Sequence, residues 1–248
     1  MRAILLAAGK GTRMYRHFKC PKSTLKVDGV PIIRHSVEIL LSKGIDVTVV
    51  LGYDCETIRS SLKGCKVDYS YNPFYSKTNS LGSLWTARKY LKPGEDVIIS
   101  NADVYWEEPL LERLLEAPGK IVMVADSARY EVGDYFFYVE DGMISKFGKE
   151  LKLEERNYEY VGLAKISGDR VEAFSKRLDT MVKEEKYDLW WENVLYNYLS
   201  EDPVRVVDVP DLFWAEVDYV QDYDRIKEYI RTKDVSCKLD KRFMPIVE

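Results

Sequence analysis

Short apolar runs alternate with amphipathic segments through the first hundred residues of the chain. Ile32 and Val37 recur at the spacing of one helix face, and Gly44 follows them as a natural helix end. Asp54 and Asn79 precede two further segments as candidate helix caps. The pattern predicts strands over 2–7, 46–51, 66–71 and 97–99 and helices over 31–43, 54–63 and 80–91. Because such alternation is typical of βαβ units, we expect an α/β fold with a mixed, mostly parallel sheet flanked by helices.

The second half of the chain adds a small antiparallel element. Two patterned stretches, 135–139 and 143–146, flank Asp141-Gly142, a pair that favours a hairpin turn. The remaining pattern predicts helices over 107–116, over 169–183 and from about 219, strands over 120–126, 158–166 and 204–209, and a tryptophan-bearing segment over 189–199. No repeat or low-complexity linker interrupts the chain, so we expect a single domain over 1–248.

Composition and charge exclude several classes of protein. The 37 basic and 41 acidic residues are interspersed and leave a net charge of −4, which argues against a nucleic-acid partner. The N-terminal segment lacks a charged region followed by a long apolar stretch, so neither a signal peptide nor a membrane span is expected, and we predict a cytoplasmic protein. The four cysteines lack the spacing of a zinc site and are expected as free thiols: Cys20, Cys55, Cys65 and Cys237.

The most informative motif follows the first predicted strand. Gly9 and Gly11 remove two Cβ atoms where the chain turns, so that backbone N–H groups can point at an anion. Arg13 adds a planar group with several donors, and Lys22 adds a mobile point charge. Met14 stands where the dinucleotide fingerprint needs its third glycine, and the spacing of a P-loop is absent as well. The motif therefore favours a nucleoside triphosphate site of another kind.

Three carboxylates are candidate ligands for a metal ion. Asp103 follows an apolar strand, and ligands of open α/β sheets bind at the carboxyl ends of strands. Glu216 and Asp218 are two residues apart, so on an extended strand both side chains face the same way. Mg²⁺ prefers hard oxygen ligands and neutralises the charge of a triphosphate. The sequence therefore predicts a magnesium site at Asp103, Glu216 and Asp218, although a turn residue and a solvated strand face remain the structural alternatives.

The N-terminal motif resembles the signature of the nucleotidyltransferases that make nucleotide sugars and CDP-alcohols, the nucleotide-sugar pyrophosphorylase-like family. In that family Leu-x-x-Gly-x-Gly-Thr-Arg-Met precedes a Pro-Lys pair, as it does here within Leu5 to Met14 and at Pro21-Lys22. The resemblance implies a Rossmann-like sheet of the nucleotide-diphospho-sugar transferase type and Mg²⁺ as cofactor. It further implies a nucleotide-binding half over about 1–105, an acceptor-binding half over about 106–230 and a C-terminal tail over about 231–248.

The resemblance also implies roles for individual residues. The glycine loop would wrap the nucleotide, while Arg13 and Lys22 would act as catalytic residues that neutralise the departing pyrophosphate. The nucleotide-binding residues implied in this way are Leu6, Ala7, Ala8, Gly9, Gly11, Thr12, Arg13, Lys22, Asn79, Ser83 and Asn101. The late Glu216-Val-Asp218, followed by a helix that contains Asp222, is similar to the bacterial choline-phosphate cytidylyltransferase branch and implies metal-associated roles for Asp103, Glu216 and Asp218.

An aromatic and acidic segment is the candidate acceptor site. Its residues are Asp188, Trp190, Trp191 and Glu192, with Tyr105 placed beside Asp103 as a further candidate. Aromatic faces and carboxylates attract an ammonium group, which favours phosphocholine, or a similar cationic alcohol phosphate, as acceptor. The resemblance to the choline-phosphate cytidylyltransferase branch implies CTP as donor. Paired tryptophans that only pack in the core are the structural alternative.

The sequence also leaves other functions open. They include a sugar-1-phosphate nucleotidylyltransferase that uses UTP, GTP or dTTP, a cytidylyltransferase for an inositol phosphate or a phosphonate, and a non-catalytic nucleotide-binding module. No residue pattern distinguishes cytosine from uracil, and the sequence leaves homo-oligomer formation open.

Overall fold

The computed structural model describes residues 1–242, except the side chains of residues 12, 13 and 15 and those from residue 234 onwards. The strands are β1 (Arg2–Ala7), β2 (Lys26–Val27), β3 (Val30–Pro31), β4 (Asp46–Leu51), β5 (Val67–Tyr71), β6 (Val97–Asn101), β7 (Val104–Trp106), β8 (Ile121–Asp126), β9 (Phe136–Glu140), β10 (Met143–Gly148), β11 (Tyr158–Ile166), β12 (Arg205–Asp208) and β13 (Trp214–Glu216). The helices are α1 (Thr12–Phe18), α2 (Ile32–Ser42), α3 (Cys55–Ser61), α4 (Ser80–Thr86), α5 (Glu108–Glu116), α6 (Gly168–Lys183), α7 (Asn193–Tyr196) and α8 (Val220–Arg242), with 3₁₀ turns at Lys22–Thr24, Arg88–Tyr90 and Leu153–Glu155.

Nine strands form one mixed sheet in the order β5-β4-β1-β6-β11-β8-β12-β10-β9. The first four run parallel, and β11 then pairs antiparallel with both β6 and β8. Two small antiparallel sheets, β2 with β3 and β7 with β13, lie beside it. A mixed sheet flanked by helices with a small antiparallel element confirms the predicted fold class.

The strand order places a crevice next to β1. The chain runs from β1 to β4 and β5 on one side of it and returns to β6 on the other side. Ala7 pairs with Leu51 of β4, while Leu6 pairs with Asn101 of β6, so the carboxyl ends of these strands lie side by side. Such a reversal of strand order is where open α/β sheets bind ligands. The glycine loop after β1 and the residues after β6 therefore flank the same crevice.

Apolar side chains fill both faces of the sheet. Successive residues of β1 alternate, so Ile4 joins the cluster on one face and Leu5 joins the cluster on the other. A third cluster fixes the C-terminal helix against the first half of the chain, since Ile226 of α8 belongs to it together with Met14 and Tyr105. The helix α8 thus packs near the glycine loop.

The predicted capping and turn residues are confirmed. The carboxylate of Asp54 accepts a hydrogen bond from the backbone N–H of Thr57 at 3.4 Å, and the Asn79 side chain accepts one from Ser80 at 2.8 Å. The hairpin turns at Asp141 and Gly142, whose φ values of 51° and 76° are those of a two-residue turn with both centres left-handed.

Some elements differ from the expectation. Helix α4 ends at Thr86 and not near 91, and the chain continues as a 3₁₀ turn. The helix ends there because the carbonyl of Thr86 accepts a hydrogen bond from the hydroxyl of Ser70 at 2.8 Å. Helix α1 and the two small sheets have no counterpart among the predicted elements. Cys20, Cys55 and Cys65 are free thiols as predicted, while the side chain of Cys237 lies outside the described part. Within the described residues no helix combines the length and apolar character needed to cross a bilayer.

Candidate active site

A cleft of about 330 Å³ lies in the crevice beside β1. Most of the residues predicted for the site line it: Leu6, Ala7, Ala8, Gly9, Gly11, Lys22, Asn79, Ser83, Asn101, Asp103, Trp190, Glu192, Glu216 and Asp218. These residues come from six separate stretches of the chain, and the topology of the sheet brings them together.

The glycine loop makes room for Lys22. Gly11 has a φ of +58°, and a Cβ atom there would lie 2.7 Å from Cγ of Lys22. The aliphatic stem of Lys22 therefore crosses directly over the Gly11 backbone. The 3₁₀ turn that carries Lys22 is held by Thr24, whose hydroxyl donates to the carbonyl of Pro21 at 2.7 Å.

The ammonium of Lys22 lies among the predicted metal-associated carboxylates. Its Nζ atom forms an ion pair with Asp218 and lies 3.4 Å from Oδ2 of Asp103, and only 12% of the side chain is exposed. Burial alone would lower the pKa of Lys22, but the negative charges of Asp103, Asp218 and Glu216 outweigh it and hold this pKa above its usual value. Lys22 is therefore a fixed cation at the centre of the cleft.

A short strand pair brings the three carboxylates together. Strand β13 runs antiparallel to β7, with Glu216 opposite Val104, and the backbone N–H of Val217 donates to the carbonyl of Asp103 at 3.0 Å. Burial raises the pKa of Glu216 well above its usual range, and the charges of Asp103 and Asp218 raise it further. The acidic side chains thus lie close enough to interact strongly.

The chemistry of the donor set fits a divalent cation. Three carboxylates surround one ammonium, so negative charge is in excess, and carboxylate oxygens are the ligands that Mg²⁺ prefers. Among the side chains that the structure describes, no group of three or more His, Cys, Asp or Glu is arranged to hold a metal as it stands. The Mg²⁺ roles of Asp103, Glu216 and Asp218 stay a prediction.

A polar network shapes the start of α4. The side-chain amide of Asn72 donates to Oγ of Ser83 at 3.0 Å and to Oγ1 of Thr78 at 2.9 Å. Asn79 and Ser83, the two candidates for contact with the nucleobase, line the cleft on this side. Asn72 was not among the predicted site residues, although its position directly after β5 is the kind of signal that marked Asp103.

The start of α4 is tied to the segment that carries the tryptophans. The backbone N–H groups of Asn79 and Leu81 donate to the carbonyls of Tyr187 at 3.0 Å and Leu189 at 3.1 Å. The backbone N–H of Trp191 donates to the hydroxyl of Ser80 at 2.9 Å. These bonds join the two sides of the cleft.

Four aromatic side chains form a box at the far end of the cleft, and we call Tyr135, Tyr160, Trp190 and Tyr196 the aromatic box. The rings of Tyr135 and Tyr196 stack with centroids 5.7 Å apart, and Trp190 meets Tyr135 edge to face at 5.7 Å. Tyr160 lines the same space. The box presents aromatic ring surface to the cleft.

A buried carboxylate lies against this box. Glu192 is 6% exposed, and burial raises its pKa to about 7. The Glu192 side chain can therefore change its charge near neutral pH. It provides the aromatic box with a negative charge that little water screens.

A bulge in β11 places Tyr160 in the cleft. The pairing of β11 with β8 shifts register between Tyr160 and Ala164, and Gly162 within this bulge has a φ of +102°. A Cβ atom at Gly162 would lie 2.9 Å from Cγ2 of Val104, so the position suits glycine for steric reasons as well.

Three of the predicted acceptor residues lie outside the lining of the cleft. Trp191 is fully buried, and its indole N–H donates to Oδ1 of Asn101 at 3.3 Å, so it supports the wall without facing the cavity. Tyr105 is buried and stacks on His35 at 4.7 Å. Asp188 is exposed at the surface. The acceptor contacts predicted for these three residues stay predictions.

The side chains of Thr12 and Arg13 lie outside the described part of the structure, so their roles stay predictions. Sequence reasoning missed the other residues that line the cleft: Ser23, Tyr75, Thr78, Ser80, Ala102, Asp134, Tyr135, Lys149, Tyr160 and Tyr196. The aromatic run from Tyr135 to Tyr138, next to the predicted hairpin, was the available signal for part of this set.

The chain is similar to several known proteins. The profile of the MobA-like NTP transferase domain matches residues 3–180, a range that includes the glycine loop, Lys22 and Asp103. The CMP-5'-(3-aminopropyl)phosphonate synthase of Streptomyces rubellomurinus is 30% identical over 88% of this chain. That alignment covers 37% of the relative, so the chain spans little more than a third of its length.

Two further proteins are similar over nearly their whole lengths. The CTP:phosphoglutamine cytidylyltransferase of Campylobacter jejuni is 27% identical over 90% of this chain and 98% of its own. The solved structure of the CTP:phosphocholine cytidylyltransferase from Streptococcus pneumoniae superposes with a TM-score of 0.75 at 23% identity, covering 92% of this chain and 98% of that one. This structural likeness shows a shared fold.

Proposed function

Because this chain belongs to the family of MobA-like NTP transferase domains, as its sequence motif predicts, we propose that it transfers a cytidylyl group from CTP to phosphocholine or a similar cationic alcohol phosphate. The acceptor's phosphate oxygen forms a new bond to the α-phosphorus as the bond to the leaving pyrophosphate breaks. The products are a CDP-alcohol and pyrophosphate. The observation that carries this proposal is a single cleft that joins the Lys22 and carboxylate cluster to the aromatic box.

The nucleotide binds at the end of the cleft formed by the glycine loop and the start of α4. Backbone N–H groups near Gly9 and Gly11 hold the phosphates, and Asn79 and Ser83 contact the base. Lys22 stabilises the charge that develops on the departing pyrophosphate, because its ammonium is already fixed in place. The names of the relatives, which specify CTP or a CMP product, support CTP as the donor.

Asp103, Glu216 and Asp218 would hold Mg²⁺, which when bound neutralises charge on the triphosphate and on the leaving pyrophosphate. The remaining contribution of the chain is to position the two reactants and exclude water. An ionised acceptor phosphate is already a nucleophile, so no side chain has to remove a proton from it. None of the described residues that line the cleft is a histidine, which is consistent with this chemistry.

The acceptor's ammonium group binds in the aromatic box beside Glu192. Ring faces attract a cation by roughly 0.5 to 2 kcal/mol, and a carboxylate in a dry environment adds to this attraction. A sugar phosphate carries no positive charge and would leave the Glu192 carboxylate without a partner from the ligand. The box therefore favours a cationic acceptor over a sugar 1-phosphate.

Pyrophosphate release tests the proposal. The four NTPs are each combined with phosphocholine, phosphoethanolamine, an inositol phosphate and several sugar 1-phosphates in the presence of Mg²⁺. We expect release with CTP and the two cationic acceptors. Release with sugar phosphates alone would contradict the acceptor assignment, and release with no combination would favour a non-catalytic module.

A further inference from the structure

Lys149 lies at the mouth of the aromatic box. It follows β10, and its Nζ atom is 4.9 Å from the ring centroid of Trp190 and 2.6 Å from Oδ2 of Asp134. Lys149, Asp134 and Trp190 all line the cleft. The chain thus places an ammonium of its own on the exposed aromatic face of the acceptor site.

We propose that Lys149 is a specificity-determining residue that makes the acceptor site select a primary ammonium over a trimethylammonium group. The inference rests on the proposed cytidylyltransferase function and narrows its acceptor class. Acceptors of the aminoalkyl phosphate or aminoalkyl phosphonate type are then preferred to choline-type acceptors.

The first reason is occupation of the Trp190 face. A trimethylammonium group has no N–H donors, so it depends on contact with aromatic faces, among which indole is the strongest. Lys149 already covers that face, and its positive charge repels a second cation brought to the same place. A quaternary head group must therefore displace Lys149 from both Trp190 and Asp134.

The second reason is the position of Glu192. Its carboxylate is buried against Tyr160, deeper in the site than the partly exposed Lys149 and Asp134. A primary ammonium carries three N–H donors and can form charge-assisted hydrogen bonds to a carboxylate. It can therefore bind at Glu192 while Lys149 stays in place.

Lys146, which lies in β10 three residues before Lys149, provides a matched control. Its Nζ atom lies 5.7 Å from the ring centroid of Tyr138 and 2.9 Å from Oε1 of Glu155, so it has one aromatic and one carboxylate partner, as Lys149 has. Lys146 does not line the cleft. Its replacement removes the same kind of contacts without changing the acceptor site.

The experiment compares kcat/KM for phosphoethanolamine and phosphocholine, with saturating CTP, in four proteins. These are the wild type, Lys149→Met, Lys149→Arg and Lys146→Met. We expect the wild type to prefer phosphoethanolamine and the preference to fall about tenfold in Lys149→Met, which corresponds to about 1.4 kcal/mol. The change should arise from a lower KM for phosphocholine with little change in kcat, because Lys149→Met frees both Trp190 and Asp134.

Lys149→Arg keeps a cation that stacks on aromatic rings, so the wild-type preference should remain, as it should in Lys146→Met. An unchanged preference in Lys149→Met, or a wild type that prefers phosphocholine, overturns the inference while leaving the proposed function intact. Pyrophosphate release from CTP with neither acceptor contradicts the proposed function and the inference together.

Discussion

The ammonium of Lys22 lies 3.4 Å from the Oδ2 atom of Asp103, although the two residues follow different strands of the central sheet. Asp218, which follows β13, pairs with the same ammonium. One cation thus connects the glycine-loop side of the cleft to its acidic side. Changes at Lys22 should therefore affect the chemistry far more than the fold.

Replacement of Lys22 by alanine is expected to lower kcat by about a hundredfold or more. A preorganised donor that stabilises developing charge contributes about 2.7 to 4 kcal/mol to catalysis. Pyrophosphate release measures the rate, and circular dichroism checks the fold. Lys26→Ala, which removes an exposed lysine outside the cleft, is the control and should keep normal turnover. Near-normal turnover in Lys22→Ala would remove Lys22 from the catalytic residues.

Replacement of Gly11 by alanine is expected to lower kcat/KM for CTP tenfold or more. The new Cβ would lie 2.7 Å from Cγ of Lys22 and would displace that side chain, in addition to the cost of about 1 to 2 kcal/mol for a left-handed alanine. Gly44→Ala separates the two effects, because Gly44 has a φ of +71° and nothing within 4 Å of the added Cβ. Both variants should lose thermal stability, but only Gly11→Ala should lose activity with CTP.

Replacement of Glu192 by glutamine should change how stability depends on pH. Burial raises the pKa of Glu192 from its usual 4.5 to about 7, so in this interval the folded chain holds a proton that the unfolded chain has released. The free energy of unfolding of the wild type therefore falls as the pH rises from about 4.5 to 7. Glutamine cannot ionise, so the variant should gain on the order of 2 kcal/mol relative to the wild type between pH 5 and pH 8.

Urea unfolding at pH 5 and pH 8 measures this difference, and acceptor kinetics provide an independent check. The ionised Glu192 attracts an ammonium group, so the KM for phosphoethanolamine should fall as the pH rises through about 7 in the wild type. The acceptor's own phosphate also titrates, but it contributes equally to the pH profiles of the wild type and of Glu192→Gln. Identical pH profiles for the wild type and Glu192→Gln would show that Glu192 does not contact the acceptor.

Replacement of Trp191 by alanine should mainly lower stability, whereas replacement of Trp190 should mainly weaken acceptor binding. Trp191 is fully buried, so Trp191→Ala is expected to destabilise the fold by about 3 to 5 kcal/mol. Trp190 is 37% exposed, so Trp190→Ala should cost about 1 kcal/mol or less but raise the acceptor's KM several-fold, because Trp190 orders Tyr135 and Lys149. Thermal melts and acceptor kinetics on both variants separate the two roles, and a larger KM effect in a stable Trp191→Ala would reverse the assignment.

The local pattern of apolar and polar residues was sufficient to predict most strands of the sheet. The predicted bounds 46–51 and 158–166 are those of β4 and β11, because both strands have six or more residues and most of these are apolar. Strands β7 and β13 have three residues each and pair across more than a hundred residues of sequence. A strand of three residues is too short to show a hydrophobic period. The strand that it pairs with is set by tertiary packing.

The two sides of the candidate site differ in how far local sequence patterns predict them. The phosphate side rests on a contiguous motif, so Gly9, Gly11 and Lys22 were found from their spacing. On the acceptor side, Tyr135 and Tyr196 meet only after the hairpin and α7 have packed, so no local spacing marks them. Sequence also could not choose between Trp190 and Trp191, since which of two adjacent rings faces the cleft depends on the contacts of the whole segment.

The hydrogen bonds between the start of α4 and residues 187–191 have a thermodynamic consequence. Because the nucleobase side and the acceptor side share this wall, a substrate that orders one side reduces the entropy cost of ordering the other. The affinities of the two substrates should then be coupled, and the coupling free energy must be the same in both directions. Such a protein would commit to an acceptor most readily once the nucleotide is in place.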